Sequence, residues 1–204
     1  GKKPALILKC SAGVASYLSR DSILDKIKHI KKSVGSSNLP NVYLLHGEFD
    51  DSEMNELYNH SKVKAMVSFT KGEGFGRPLL EFSTTGKPII ASGWSGHIDF
   101  LDKNSNVLLG GKLENVHHSA ANNWLIKEAQ WFQVEPKQGM SALKEVYKRY
   151  KQYSKRSKKQ KHYVKTNFSW DKMKELVNSK LSKTPNIPTQ VKLQLPKLEL
   201  PKLS

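Results

Sequence analysis

"NVYLLHGEFDDSEMNELYNHSKVKAMVSFTKGEGFGRPLLEFSTTGKPIIAS" (residues 41–92) decides the reading of this chain. Apolar runs at 42–47, 64–69 and 87–92 are short, as buried strands are. Between the first two, "DDSEMNELYNH" (50–60) reads as a helix, with Asp50 and Glu53 at capping-box spacing. Between the second and third, the glycine-rich loop "GEGFG" (72–76) feeds a helix from about Pro78 to Thr85. Proline suits the first helical position and Gly86 suits the stop.

The alternation extends outward on both sides. "PALILKC" (4–10) is a further buried strand, followed by an amphipathic helix at 21–34 with Ile23, Leu24, Ile27 and Ile30 on one face. Downstream, "GHIDFLD" (96–102) makes a helical turn and "NVLLGG" (106–111) a fifth strand. Strand and helix in strict alternation predict an α/β fold, a mainly parallel sheet with helices on both faces. The C-terminal part is helical. Residues 140–165 form one long basic helix or two, with Leu143, Val146, Tyr147 and Tyr150 inward, and 169–181 starts at a serine cap. Residues 117–136 read as irregular, with Trp124, Trp131 and Trp170 packing in the core or between helices. A folded domain over 1–182 is expected, then an extended tail over 183–204, whose proline at every fifth position in "KLQLPKLELPKLS" bars helix and central strand.

The 204 residues carry 34 Lys and Arg against 18 Asp and Glu, a formal charge of +16. That excess suits an anionic partner, whether a nucleotide, nucleic acid or acidic membrane, or a merely solvated surface. Cys10 is the only cysteine, so no intrachain disulfide forms, and no apolar run approaches a membrane span or signal core. A cytoplasmic protein is expected, with the inner membrane surface a second location open to so basic a chain. The start at Gly1 without methionine is read as a piece of something longer. His117 and His118 have no carboxylate or cysteine at ligand spacing, which argues against a metal site.

The loop poses the chemical question. "GEGFG" is neither a GxGxxG fingerprint nor a P-loop. It still offers a tight turn into a helix N-terminus, where free N–H groups attract an anion. Carboxylates at Glu73 and Glu81 would repel phosphate, so they need hydroxyl partners on either side of it. A ligand carrying sugar, diphosphate and ribose in a row uses all three parts. The alternative treats both as ordinary helix-flanking charges.

"EGFGRPLLE" (73–81) resembles the Glu-x7-Glu signature of the type-B, group 1 retaining glycosyltransferases. Residues 41–109 are similar to that family throughout, and "FSWDKMKELVNSKL" (168–181) is similar to its closing helix. The resemblance implies a Rossmann-like, donor-binding C-terminal domain. Its ligand would be a nucleotide-sugar, and transfer to an acceptor would belong to the complete enzyme. It gives Glu73 the donor-sugar hydroxyls, as the catalytic candidate, and Glu81 the ribose. Amides at Gly74, Phe75 and Gly76 meet sugar or diphosphate, the base lies near His46 and Gly47, and Ser95 and Gly96 approach the donor. It implies no metal, because the helix dipole and basic side chains neutralise the departing diphosphate. Arg77 stands where the family often has Leu or Ile. It serves the diphosphate or pairs with a surface acid. His97 bonds the donor or is a satisfied structural histidine.

The resemblance also marks what is missing. "PALILKC" corresponds to the family's second strand, so the first strand with its basic diphosphate-binding pair is absent, and so is the N-terminal acceptor domain. If that strand is central, the sheet has a gap that the tail, a dimer partner or altered packing would fill. Two rival functions are a non-catalytic nucleotide-sugar-binding module and a nucleic-acid-binding protein using the basic helix. The tyrosines interleaved in that helix are read as packing, which leaves nucleic acid the weaker partner.

Overall fold

The computed structural model describes residues 4–10 and 16–182 and divides the chain into two compact units, Gly1–Val63 and Lys64–Ser204. The fold is mixed α/β with parallel sheets, consistent with a Rossmann-like arrangement. The expected extended tail at 183–204 lies outside the described residues.

In the first unit, β1 (Leu6–Lys9) and β2 (Val42–Leu45) pair in parallel, with Leu6 opposite Val42 and Lys9 opposite Leu45. Two helices, α1 (Tyr17–Val34) and α2 (Asp51–Asn59), belong to this unit. Ser16 caps α1 by accepting the Ser19 N–H, so the helix starts four residues before the apolar periodicity does. Gly35 ends it in the left-handed region at φ 65°, donating its N–H to the Lys32 carbonyl. The α2 capping box is present in both directions: Glu53 N–H to Asp50 at 2.8 Å, and Asp50 N–H to Glu53 at 2.9 Å. None of the described residues up to Val63 is fully buried.

The second unit holds β3 (Met66–Ser68), α3 (Arg77–Ser83), β4 (Ile89–Ser92) and β5 (Val107–Leu109), with strand order β3-β4-β5, all parallel. The expectation of one mainly parallel sheet thus resolves into a parallel sheet in each unit. Every residue of β4 is buried. Ile90 joins a cluster with Leu109, Phe132, Val134, Ala142 and Val146, while Ile89, on the opposite side of the pleat, is only 1 % exposed. Burial of consecutive residues requires cover on both sheet faces, which is what an unbroken apolar run signals.

Residues 117–136 depart from the expectation. β6 (Gly111–Asn115) and β7 (Gln130–Val134) form an antiparallel pair, with Leu113 opposite Phe132. Phe132 and Val134 are core residues. The strand was illegible because β7 buries alternate residues beside glutamines, a pattern short and polar enough to pass for loop.

The basic segment is two helices, α4 (Pro136–Lys148) and α5 (Tyr150–Asn167), broken at Arg149, and α6 (Trp170–Leu181) follows from a Ser169 cap. The inner face of α4 is Gly139, Ala142 and Val146. Leu143 and Tyr147 are exposed, a correction to their predicted inward placement. At Gly139 the helix comes close to the Phe69 ring, to which an added Cβ would lie at 3.3 Å. Trp124 and Trp170 are also exposed rather than packed, at 97 % and 81 %, while Trp131 lies under the Lys71 ammonium.

On α5, Ser157, Gln160 and Val164 face inward. Gln160 donates to the Phe100 carbonyl at 2.6 Å and accepts from the Asp102 N–H and the Asn106 side chain. The turn it holds is closed by Asp102. Partial desolvation pushes that carboxyl upward, but bonds from the Asn104 N–H, the Ser105 hydroxyl and the Asn104 amide outweigh it and hold its pKa below the ordinary value.

Two outcomes are expected. In native-state hydrogen exchange the amides of β4 should be the slowest and those of β1 and β2 much faster, since local stability follows buried contacts. Equal protection in both sheets would contradict the burial pattern. The depressed carboxyl at Asp102 contributes stability that is present above the unfolded pKa of about 4 and lost as pH falls through the folded value. The melting-temperature gap between wild type and Asp102→Asn should therefore narrow as pH drops from about 6 to about 2, and a constant gap would refute it.

Candidate functional site

The glycine-rich loop leaves β3 at the carboxyl end of the second unit's sheet, where open parallel sheets bind their ligands. A second loop, leaving β4, locks it in place. The Ser95 hydroxyl donates to the Glu73 carbonyl at 2.6 Å and accepts the Glu73 N–H at 2.9 Å. The Gly96 N–H donates to the same carbonyl at 2.9 Å. Both backbone groups of Glu73 are thereby satisfied by the β4 loop. Ser95 adopts φ 79°, the only positive value at a non-glycine among the described residues. Backbone strain of that kind is held only where surrounding bonds over-determine it.

Two glycines make the interlock possible. A Cβ at Gly96 would collide with the Gly74 carbonyl. Gly76 has φ 85° as the cap of α3, and a Cβ there would lie 2.9 Å from the His97 Cβ. His97 is fully buried, with its Nε2 bonded to the Ser92 carbonyl at 2.6 Å. One ring nitrogen is thus tied beneath the loop, while Nδ1 is buried without a hydrogen-bond partner, so the histidine is only half satisfied.

The side chains above this frame differ sharply. The Glu73 carboxylate is half-buried and makes no hydrogen bond or ion pair among the described residues. Glu81 is taken by Arg77, one turn earlier on α3, at 2.5 Å. The surface acid that Arg77 meets is therefore the second glutamate of the motif itself. This pair is largely exposed, with the arginine N-terminal to the acid, the less favourable order, so it holds by only a few tenths of a kcal/mol. Helix α3 has only seven residues, shorter than expected.

Phe75 is turned out of the glycine turn onto Phe100, at 5.2 Å between ring centres, and both rings meet Phe168 where α5 ends. Tyr163 closes the group edge-on against Phe168. Trp94 stacks on Phe132 at 5.6 Å, beside the Ser95–Gly96 loop. This aromatic cluster escaped the sequence reading, because its members lie far apart in the chain. Gln160 could have been found: Ser157, Gln160 and Val164 are spaced as one helical face and interrupt the lysines of α5.

The structure thus brings Glu73, Gly74, Phe75, Gly76, Arg77, Glu81, Ser95 and Gly96 into one constellation. His46 and Gly47 belong to the first unit. There His46 Nε2 bonds the Ser19 hydroxyl at 3.1 Å, and Gly47 turns the chain after β2 at φ 131°. The rings of His117 and His118 lie 4.1 Å apart, tilted by 36°, with His117 bonded to Ser119. Among the described residues no group of three His, Cys, Asp or Glu is placed to hold a metal ion. No described helix is long and apolar enough to cross a membrane.

The profile of a family described as "Glycosyl transferases group 1" matches residues 25–129, just over half of the chain. No curated protein sequence matches it significantly. The matched segment contains the interlocked loops and both glutamates, and the chain belongs to the group 1 glycosyl transferases.

Proposed function

We propose that the chain is the donor-binding part of a retaining glycosyltransferase and holds a nucleotide-sugar at the interlocked loops. The observation that carries this reading is the contrast at Glu73. Its backbone is pinned on both sides by Ser95 and Gly96, while its carboxylate has no partner. A free acid on a fixed frame suits recognition of vicinal hydroxyls, because the order it imposes is already present before binding.

In this reading Glu73 takes hydroxyls of the donor sugar, and the amides at Gly74, Phe75 and Gly76 face the diphosphate. Glu81 takes the ribose. Arg77 exchanges Glu81 for a phosphate oxygen, a small cost given the exposure of that pair. The reaction breaks the bond between the sugar's anomeric carbon and the diphosphate. The acceptor hydroxyl attacks from the same face, and its proton passes to the departing phosphate oxygen. Loop amides and Arg77 stabilise the charge that develops there, without a metal and without a protein nucleophile. The acceptor site and further cations belong to an N-terminal domain outside this chain.

The test is a thermal-shift screen over nucleoside-diphosphate sugars and bare nucleoside diphosphates, followed by calorimetry on variants. Glu73→Ala should weaken the best nucleotide-sugar by about 10- to 100-fold and leave the bare diphosphate within about 2-fold, as expected for a lost charged hydrogen bond. Glu81→Ala should weaken both ligands alike. Unchanged affinities in both variants, or no stabilisation by any ligand, would overturn the assignment. Arg77→Ala should weaken both ligands by about 10-fold; tighter binding would show instead that Arg77 competes with the ribose for Glu81.

A further inference from the structure

Helix α5 carries seven Lys or Arg in 18 residues and no acid. Lys151, Lys155, Lys158, Lys159, His162 and Lys165 recur at helical spacing and are all exposed. They share an arc of about 120° and extend along roughly 20 Å of helix. None of the five lysines has an ion pair or hydrogen bond among the described residues. The acids on elements packed against α5 are already engaged: Glu81 with Arg77, Glu145 with Arg149, and Asp102 with Asn104 and Ser105. A row of like charges is self-repulsive, so it persists at a cost that an anionic partner would relieve.

We propose that this lysine face of α5 docks the protein on an anionic lipid bilayer. The proposal stands on charge geometry and is independent of the nucleotide-sugar reading. The arc along one side of a straight helix is tangent to a plane, so all five ammonium groups reach a flat surface together. The row contains no arginine. Arg156, the only one in α5, is turned aside, bonded to the Asn104 carbonyl and lying over Tyr153. Lysine is a compact point charge on a flexible stem, suited to diffuse headgroup charge, whereas arginine forks dominate base and phosphate reading. Single-strand binding needs exposed rings among the cations for bases to stack on. Tyr163, the exposed tyrosine bordering the row, is engaged edge-on with Phe168, which leaves the imidazole of His162 as the ring within the row itself. Each lysine near an anionic leaflet strengthens binding several-fold, and the attraction fades within a Debye length.

Cosedimentation of the full chain with vesicles tests this. One set contains one part phosphatidylglycerol to two parts phosphatidylcholine, the other phosphatidylcholine alone. The stripe variant carries Lys151→Gln, Lys155→Gln, Lys158→Gln and Lys159→Gln. The control removes four exposed lysines elsewhere, with Lys26→Gln, Lys32→Gln, Lys62→Gln and Lys103→Gln. Circular dichroism and melting verify that both fold. Expected are binding to the phosphatidylglycerol vesicles only, loss of at least about 100-fold in the stripe variant, and a drop of no more than about 5-fold in the control. Equal losses in both variants would reduce the effect to net charge and overturn the proposal, as would wild-type binding by the stripe variant. Tighter binding to oligothymidylate or duplex RNA than to vesicles at equal salt, lost in the stripe variant, would assign the face to nucleic acid instead.

Discussion

Three hydrogen bonds between the Ser95–Gly96 turn and the main chain of Glu73 organise the carboxyl end of the second unit's sheet. Loops at strand ends are ordinarily the least ordered parts of such folds. Here each loop supplies the partners that the other would otherwise seek from water. The geometry leaves almost no freedom of sequence: a side chain at Gly96 would strike the Gly74 carbonyl, and one at Gly76 would press on His97. The buried imidazole below, tied to the Ser92 carbonyl, continues the same lock into β4. Rigidity therefore passes from a fully buried strand to a half-exposed carboxylate through a handful of short bonds.

Much of this was legible in the sequence, for reasons that can be named. The four-residue run Ile89–Ser92 reads as a strand because burial on both faces demands continuous apolar character. Asp50 and Glu53 announce α2 because their reciprocal bonds are local. Glu73 and Glu81 stood out because acids flanking a glycine turn require an explanation. What stayed hidden was non-local. Phe75, Phe100 and Phe168 meet only once the chain is folded, and Glu81 is claimed by Arg77 only once α3 sets them one turn apart. The β6–β7 ladder was lost among glutamines, and which face of α4 turns inward, Gly139, Ala142 and Val146 rather than Leu143 and Tyr147, depends on tertiary packing that periodicity does not reveal.

The two units distribute stability unevenly. The second concentrates its fully buried side chains around β4, whereas the first has well-formed caps and a parallel ladder with no fully buried residue among those described. Caps and ladder bonds define local geometry, yet each contributes only about a kcal/mol. The first unit is thus specified mainly by local signals and the second by packing. The misreadings fall in the second unit: the β6–β7 pair and the inner face of α4 emerge only from tertiary contacts, whereas α1 and α2 are read from an amphipathic face and a capping box.

Gln160 has a consequence beyond the turn it holds. It sits nine residues from Lys151, half a revolution around α5 from the cationic row. Its amide accepts from Asp102 and Asn106 and donates to Phe100, a pattern that neither a carboxylate nor an ammonium can reproduce. Slipping α5 by a single residue would swing the row by about 100° and break all three bonds. One neutral side chain on the inner face thus acts as a keel. It sets the bearing of every charge on the outer face, although it touches none of them.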